Sequence, residues 1–130
     1  MHKLLFIGER PSLQAIRLGA TWQNGGLAAK QLHDALRALH IDPQQQRYIN
    51  LWSTPGTGPI KEPIEAWVLA EIAEYITAGY TVIGMGQLVS RALKQHGILH
   101  LLIVHPAARG AIRKKARYTA HVGTVLGMPS

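Results

Sequence analysis

The sequence predicts an α/β fold with a four-stranded, mostly parallel sheet. Four short apolar runs resemble strands, and the segments between them carry the periodicity of amphipathic helices. Strands and helices alternate along the chain, which is typical of parallel strands joined by right-handed helical crossovers. A chain of 130 residues has the usual size of one domain, so we expect a single domain over residues 1–130.

The first elements are a strand, an irregular loop, a helix and a second strand. The run KLLFIG at 3–8 is continuously apolar and ends at Gly, as in a strand buried on both faces. Residues 26–40 are predicted to form a helix that stops before Pro43. Its predicted inner stripe is Leu32, Ala35, Leu36 and Leu39. RYINLW at 47–52 indicates the second strand.

The second half continues the alternation. A helix is predicted at 63–78 with Pro63 at its start and Ile64, Val68, Ile72 and either Tyr75 or Ile76 facing inward. The remaining predicted elements are a strand at 81–86, a short helix at 87–95, a strand at 99–104 and a helix at 111–126 whose inner stripe is Ile112, Ala116, Thr119 and Val122.

Composition excludes several classes of protein. The chain has no cysteine, which excludes disulfides, thiolate metal sites and cysteine nucleophiles. No apolar run is long enough to span a bilayer, and the apolar part of MHKLLFIGE is too short for a secretory signal. We therefore expect a cytoplasmic protein without membrane contact. The six histidines other than His105 show no metal-ligand spacing, so we expect no metal. We also expect no cofactor.

The net charge of +7 is confined to the end of the chain. Residues 1–75 carry seven basic and seven acidic side chains, whereas residues 76–130 carry seven basic side chains and no acid. A one-sided basic field favours a polyanionic partner such as nucleic acid. A solvated basic face that maintains solubility explains the same pattern.

Polar side chains follow the ends of the predicted strands. Glu9 follows the first strand, Asn50 lies at the second and His105 follows the fourth. In an open parallel sheet, ligands bind beyond the carboxyl ends of the strands. The sequence therefore predicts a functional site at this edge.

Each of these side chains also has an ordinary structural explanation. Glu9 could orient a water or act as a base, or it could simply pair with Arg10 or Arg17. Asn50 could hydrogen-bond a neighbouring loop or the edge of a bound base.

His105, followed by Pro106, could be a neutral donor, a general acid or a structural histidine. Trp22 lies in a polar loop, where it could close the core from above or stack on a planar ligand. GMGQLV at 84–89 has Val89 where a dinucleotide fingerprint needs its third glycine, so it is interpreted as a tight strand-to-helix turn.

In order, these motifs resemble the uracil-DNA glycosylase superfamily, in particular the branch whose first motif is Gly-Glu-Ala-Pro-Gly. The matching stretches are GERPS at 8–12, GATWQNGG at 19–26, the helix GLAAKQLHDALRALHI, the strand RYINLW, the strand and helix VIGMGQLVSRAL, and the closing IVHPAAR. The resemblance covers nearly the whole chain. It implies a three-layer αβα sandwich and a base-excision enzyme that acts on single-stranded DNA, or on a duplex with a flipped base, as a monomer.

The resemblance also implies a role for each matching residue. Trp22 stands where a Phe stacks on the base, and Asn50 stands where an Asn hydrogen-bonds the uracil edge. Gly8 and Pro11 belong to the first motif and would line the base pocket. Catalysis would use His105 as the donor to the departing base and Glu9 to position water. The DNA backbone would be bound by Arg109, Arg113, Lys114, Lys115 and Arg117.

The sequence departs from this pattern at several positions. The absence of cysteine leaves no ligands for the iron–sulfur cluster that this branch usually carries. Arg10 stands where the family has a small residue or an Asp, Ser12 replaces Gly, and Ala107 replaces Ser. A catalytically altered module that binds nucleic acid or a base-like ligand is therefore the second hypothesis, and a flavodoxin-like nucleotide-binding domain is the third.

Overall fold

The computed structural model describes residues 2–11, 21–22, 26–52, 63–108 and 110–128. Several sequence predictions lie outside these residues: most of GATWQNGG, the cation Arg109, and the positions Ser12 and Arg17.

Four parallel strands form one sheet, which confirms the predicted α/β class. The strands are β1 (Leu4–Gly8), β2 (Arg47–Asn50), β3 (Thr81–Met85) and β4 (Leu101–Ile103), in the order β2-β1-β3-β4. In the registers, Gly8 lies opposite Asn50 and Ile7 lies opposite Gly84. The carboxyl ends of β1, β2 and β3 therefore meet at one edge of the sheet.

Helices cover both faces of the sheet. They are α1 (Leu27–Ala38), α2 (Ala66–Thr77), α3 (Gln87–Gln95) and α4 (Lys115–Val125), with short 3-10 turns at Pro43–Gln45 and Ala111–Arg113. Phe6 of β1 packs with Leu36 of α1 and Val122 of α4 on one face. Leu5 packs with Ile72 of α2 and Leu93 of α3 on the other. This alternation along β1 produces three layers, as expected.

Helix α2 starts three residues later than predicted. Pro63 precedes the helix, and Glu65 is still extended, with φ −65° and ψ 143°. Val68 and Ile72 are buried as predicted, and Tyr75 is half-buried whereas Ile76 is 44% exposed. The inward position is therefore Tyr75.

The predicted inner stripe of the last helix is confirmed only in part. Residues 111–113 form a 3-10 turn, and Lys114 is extended with ψ 130°, so the α-helix begins only at Lys115. Val122 is buried and Ile112 packs against the core, as predicted. The break changes the phase between them, so that Ala116 is exposed and Tyr118 is buried instead. A continuous period of 3.6 counted from 111 could not detect this change.

Strand β4 is shorter than predicted. Only three of its residues pair with β3, from Leu101 to Ile103. Leu99 precedes the strand and is 93% exposed, which corrects its assignment to the fourth strand. In the described ranges, no helix has the length and apolar character needed to cross a bilayer.

Candidate functional site

The strand order places a crevice at the carboxyl ends of β1 and β3. The chain leaves β1 through α1 on one face of the sheet and reaches β3 through α2 on the other. The two crossovers therefore diverge at this point, which is the topological switch point where ligands bind in open α/β sheets. Gly8 ends β1 and Glu9 follows it. Gly86 follows β3 with φ 97°, a conformation that favours glycine.

Trp22 and Asn50 form a direct pair above the end of β1. The indole Nε1 of Trp22 donates a hydrogen bond of 2.9 Å to Oδ1 of Asn50. Gly8 makes room for this pair, because a Cβ at Gly8 would lie 2.6 Å from Asn50 Oδ1 and 3.0 Å from Trp22 Nε1. Trp22 also packs against the core on the sheet face covered by α1 and α4. This contact agrees with the structural alternative given for Trp22, that it closes the core from above.

His105 lies beside the same indole. Its ring centroid is 6.0 Å from that of Trp22, with an angle of 63° between the planes. The backbone N–H of Ala107 donates to His105 Nδ1 at 3.0 Å. Burial lowers the pKa of His105 below its ordinary value of 6.5. The neutral ring therefore accepts at Nδ1 and carries its proton on Nε2, which makes Nε2 a hydrogen-bond donor.

Glu9 forms an ion pair with Arg10, which was one of the two pairings considered in the sequence analysis. Arg10 Nε lies 4.0 Å from Glu9 Oε1, and the two side chains are 9% and 34% exposed, respectively. The Glu9 carbonyl accepts a hydrogen bond from the N–H of Trp52, which continues the β1–β2 pairing beyond the strands. Glu9 is thus fixed at the sheet edge with its carboxylate beside a nearly buried cation.

Pro11 lies beside a surface cavity. This cavity has a volume of about 360 Å³ and opens between the end of β2 and helix α2. Pro11, Asn50, Trp52 and Trp67 contribute to its wall, together with Glu71. Asn50 therefore borders both the cavity and the Trp22 indole.

The described members of the predicted phosphate-binding group are all at the surface. Arg113, Lys114, Lys115 and Arg117 are exposed and lie at the start of α4. Lys115 Nζ is 3.4 Å from Asp34 Oδ2 of α1, so part of its charge is balanced.

Sequence reasoning missed a buried histidine below Trp22. His33 is 5% exposed, and its ring hydrogen-bonds the backbone of Trp22. Burial lowers the pKa of His33, and this hydrogen bond opposes the shift. Its Nε2 has no hydrogen-bond partner within the part of the chain that the structure describes. Helical spacing offered a signal, because His33 lies four residues after Ala29 and three before Leu36, which are both buried.

No group of three or more His, Asp or Glu side chains among the described residues is arranged to hold a metal ion. The sequence matches no protein-family model and no curated protein. The resemblance to the glycosylases therefore rests on the motifs quoted above.

Proposed function

We propose that this protein is a DNA base-excision glycosylase that hydrolyses the N-glycosidic bond of uracil or a related altered base flipped out of DNA. The observation that supports it is the contact of one indole, Trp22, with both an amide, Asn50, and a neutral imidazole, His105. A stacking surface, a base-edge reader and an oxyanion donor are the parts that such a reaction needs.

Base recognition falls to Trp22 and Asn50. The indole face stacks on the flipped base, since every base offers a π-face. The Trp22 hydrogen bond uses one lone pair of Asn50 Oδ1, which leaves the second lone pair and the NH₂ group for the base. This donor and acceptor pair matches the adjacent C=O and N–H groups on the edge of uracil or hypoxanthine.

The chemical step depends on His105. Negative charge develops on a base oxygen as the glycosidic bond breaks, and the Nε2–H of a neutral imidazole stabilises it through a hydrogen bond. The pKa of His105, lowered by burial, keeps the ring neutral at pH 7, and the N–H of Ala107 fixes its tautomer. The donor is therefore in place before the reaction begins.

Glu9 is the group that positions the attacking water. Its separation of 4.0 Å from Arg10 Nε is longer than a hydrogen bond, so its carboxylate can still accept a proton or a hydrogen bond from water. The exposed cations of α4 bind DNA phosphates.

Arg10 favours a second candidate function, binding of a base or nucleic acid without catalysis. Its side chain is only 9% exposed and lies next to the proposed water-positioning carboxylate. A cation held there can occupy the water's place while the Trp22–Asn50 pair still binds the base.

A base-release assay decides between the two functions. The substrates are single-stranded oligonucleotides and duplexes that contain uracil or hypoxanthine, and DNA binding is measured in parallel by gel shift. We expect release from at least one substrate, with loss of release in Asn50→Ala and His105→Ala. His96→Ala, at an exposed histidine, is the matched control and should retain release. DNA binding without release of any base would exclude the glycosylase and support the binding module.

A further inference from the structure

We infer that Tyr118 and His121 of helix α4 are positioning residues that fix the backbone before His105 and so aim its imidazole. The inference rests on the proposed function only for its catalytic consequence. Its structural content, that two side chains of α4 set the place of the His105 ring, can be tested without any activity.

Both backbone polar groups of Val104, the residue before His105, are held by α4. The N–H of Val104 donates to His121 Nε2 at 2.9 Å. The hydroxyl of Tyr118 donates to the Val104 carbonyl oxygen at 2.8 Å. We call this arrangement the Val104 clamp: Val104, Tyr118 and His121.

The clamp lies where the sheet no longer supports the backbone. Strand β4 pairs with β3 alone in the described sheet and ends at Ile103, whose carbonyl accepts the last hydrogen bond from Gly86. Val104 lies just beyond this bond. The side chains of α4 therefore continue the support for one residue, up to the position of His105.

Each partner in the clamp is held in the protonation state that the bond requires. Burial raises the pKa of the Tyr118 phenol well above its ordinary range, so its hydroxyl keeps the proton that it donates. Burial lowers the pKa of His121, which favours the neutral ring with Nε2 as an acceptor. Tyr118 is 1% exposed, so its ring is also fixed by packing.

His105 is constrained on its other side as well. The N–H of Ala107 donates to His105 Nδ1 at 3.0 Å. A Cβ placed on Gly86 would lie 3.6 Å from the His105 Cβ, so the β3–α3 turn borders the residue closely. The clamp and the Ala107 hydrogen bond together limit the directions in which the Nε2 donor can point. A displacement of about 1 Å at a reacting group can cost on the order of 100-fold in rate.

The variants remove single hydrogen bonds and keep shape. Tyr118→Phe deletes only the hydroxyl, and His121→Leu deletes the acceptor at Nε2. His121→Gln retains an acceptor and is the conservative rescue. Tyr48→Phe is the matched control, because the Tyr48 hydroxyl also donates to a backbone carbonyl, that of Pro43 at 2.7 Å, away from His105.

Two readouts are taken on each folded variant: the ring ¹⁵N chemical shifts of His105 by NMR at pH 7.5, and kcat and KM for base release. We expect Tyr118→Phe and His121→Leu to change the His105 shifts and to lower kcat about 10-fold or more with KM changed less than about 2-fold. His121→Gln should restore most of both values. Tyr48→Phe should change neither the His105 shifts nor kcat, although it should lower the free energy of unfolding by about as much as Tyr118→Phe does.

The outcomes separate the two proposals. Unchanged His105 shifts in Tyr118→Phe and His121→Leu overturn the clamp, whatever the activity. Equal changes in Tyr48→Phe also overturn it, because the effect would then be general loosening. Altered His105 shifts in the clamp variants, with unchanged shifts in Tyr48→Phe, support the clamp. This holds even if the wild-type protein releases no base, because that result would count against the proposed glycosylase activity and not against the clamp.

Discussion

Trp22 Nε1 donates its 2.9 Å hydrogen bond to Asn50 Oδ1 across 28 residues of the chain, and this bond joins the loop after β1 to the end of β2. Both side chains are only half-buried, so the bond orders a surface that would otherwise contact water. The pair is thus the structural centre of the candidate site. It is also accessible to direct measurement.

The strength of this pair can be measured with Trp22→Phe, Asn50→Ala and the double variant. We expect a coupling of about 1 kcal/mol in the free energy of unfolding, the usual net value of a hydrogen bond between neutral groups. Urea denaturation provides the four free energies. Strictly additive effects would show that the two side chains do not depend on each other.

Gly8→Ala is expected to destabilise the protein by roughly 1–3 kcal/mol, because its Cβ would lie 2.6 Å from Asn50 Oδ1 and 3.0 Å from Trp22 Nε1. Gly123→Ala is the matched control, since its Cβ would meet only the flexible end of Leu39, at 3.1 Å. Thermal unfolding and Trp fluorescence report the two effects. Asn50→Ala should recover part of the loss in the Gly8→Ala background, and a Gly8→Ala protein as stable as the control would refute the proposed crowding.

Stability should fall as the pH is lowered through the ordinary histidine range. Burial lowers the pKa of His33, His105 and His121 below 6.5, so the unfolded chain binds more protons than the folded one. The free energy of unfolding is then highest above pH 6.5 and decreases below it. Urea denaturation at pH 7.5, 6.5 and 5.5 measures this slope.

The His105→Gln variant tests whether His105 contributes to the slope. It should show a smaller decrease between pH 7.5 and 5.5 than the wild-type protein. An identical slope in the two proteins would assign the pH dependence to other groups.

DNA affinity should depend on the exposed cations at the start of α4. The double variant Lys114→Gln/Arg117→Gln is expected to bind DNA more weakly and to reduce the slope of log K against log salt by up to about 2, because each lost phosphate contact removes roughly 0.9 for duplex DNA. Fluorescence anisotropy over a range of salt concentrations measures both quantities.

Arg91→Gln/Lys94→Gln is the control for charge, because it removes the same two charges from exposed positions of α3 on the opposite face of the sheet. It should leave affinity and slope nearly unchanged. An equal loss in both double variants would indicate that only the net charge matters.

Gln46→Ala is expected to cost about 1–3 kcal/mol of stability. Gln46 is 2% exposed, and its Oε1 accepts the N–H of Leu4, the first residue of β1, at 2.8 Å. The substitution leaves that buried N–H without its partner. Gln45→Ala, at the exposed neighbour, should change stability by less than about 0.5 kcal/mol. Equal effects at both positions, measured by urea denaturation, would contradict this assignment.

Much of the fold followed from local sequence patterns. The helix at 87–95 was predicted with both of its bounds, and the bounds of β1 and β3 were predicted to within one residue. These elements have continuous apolar runs or clear helical stripes with Gly at their ends, so local pattern and burial agree. The errors occurred where a local pattern was interrupted, as at Lys114 before α4.

The candidate site was predicted as a set of residues but not as an arrangement. Asn50 and His105 were selected because ligands bind beyond the carboxyl ends of parallel strands. The structure places Trp22 in contact with both residues. His33 and Tyr118 were missed, because a buried polar group is recognised by its partners rather than by its place in a pattern.

The sequence by itself determined the α/β class, the absence of thiol chemistry and the confinement of the excess positive charge to residues 76–130. These properties depend on composition and on periodicities of a few residues. Three features were decided only by the tertiary structure. Trp22 hydrogen-bonds Asn50, Gln46 is the buried residue among three consecutive glutamines, and His121 of α4 accepts the hydrogen bond of the Val104 N–H. Each of these is a contact between segments distant in the chain, and its geometry depends on strand register and on how the helices pack over the sheet, which no local pattern encodes.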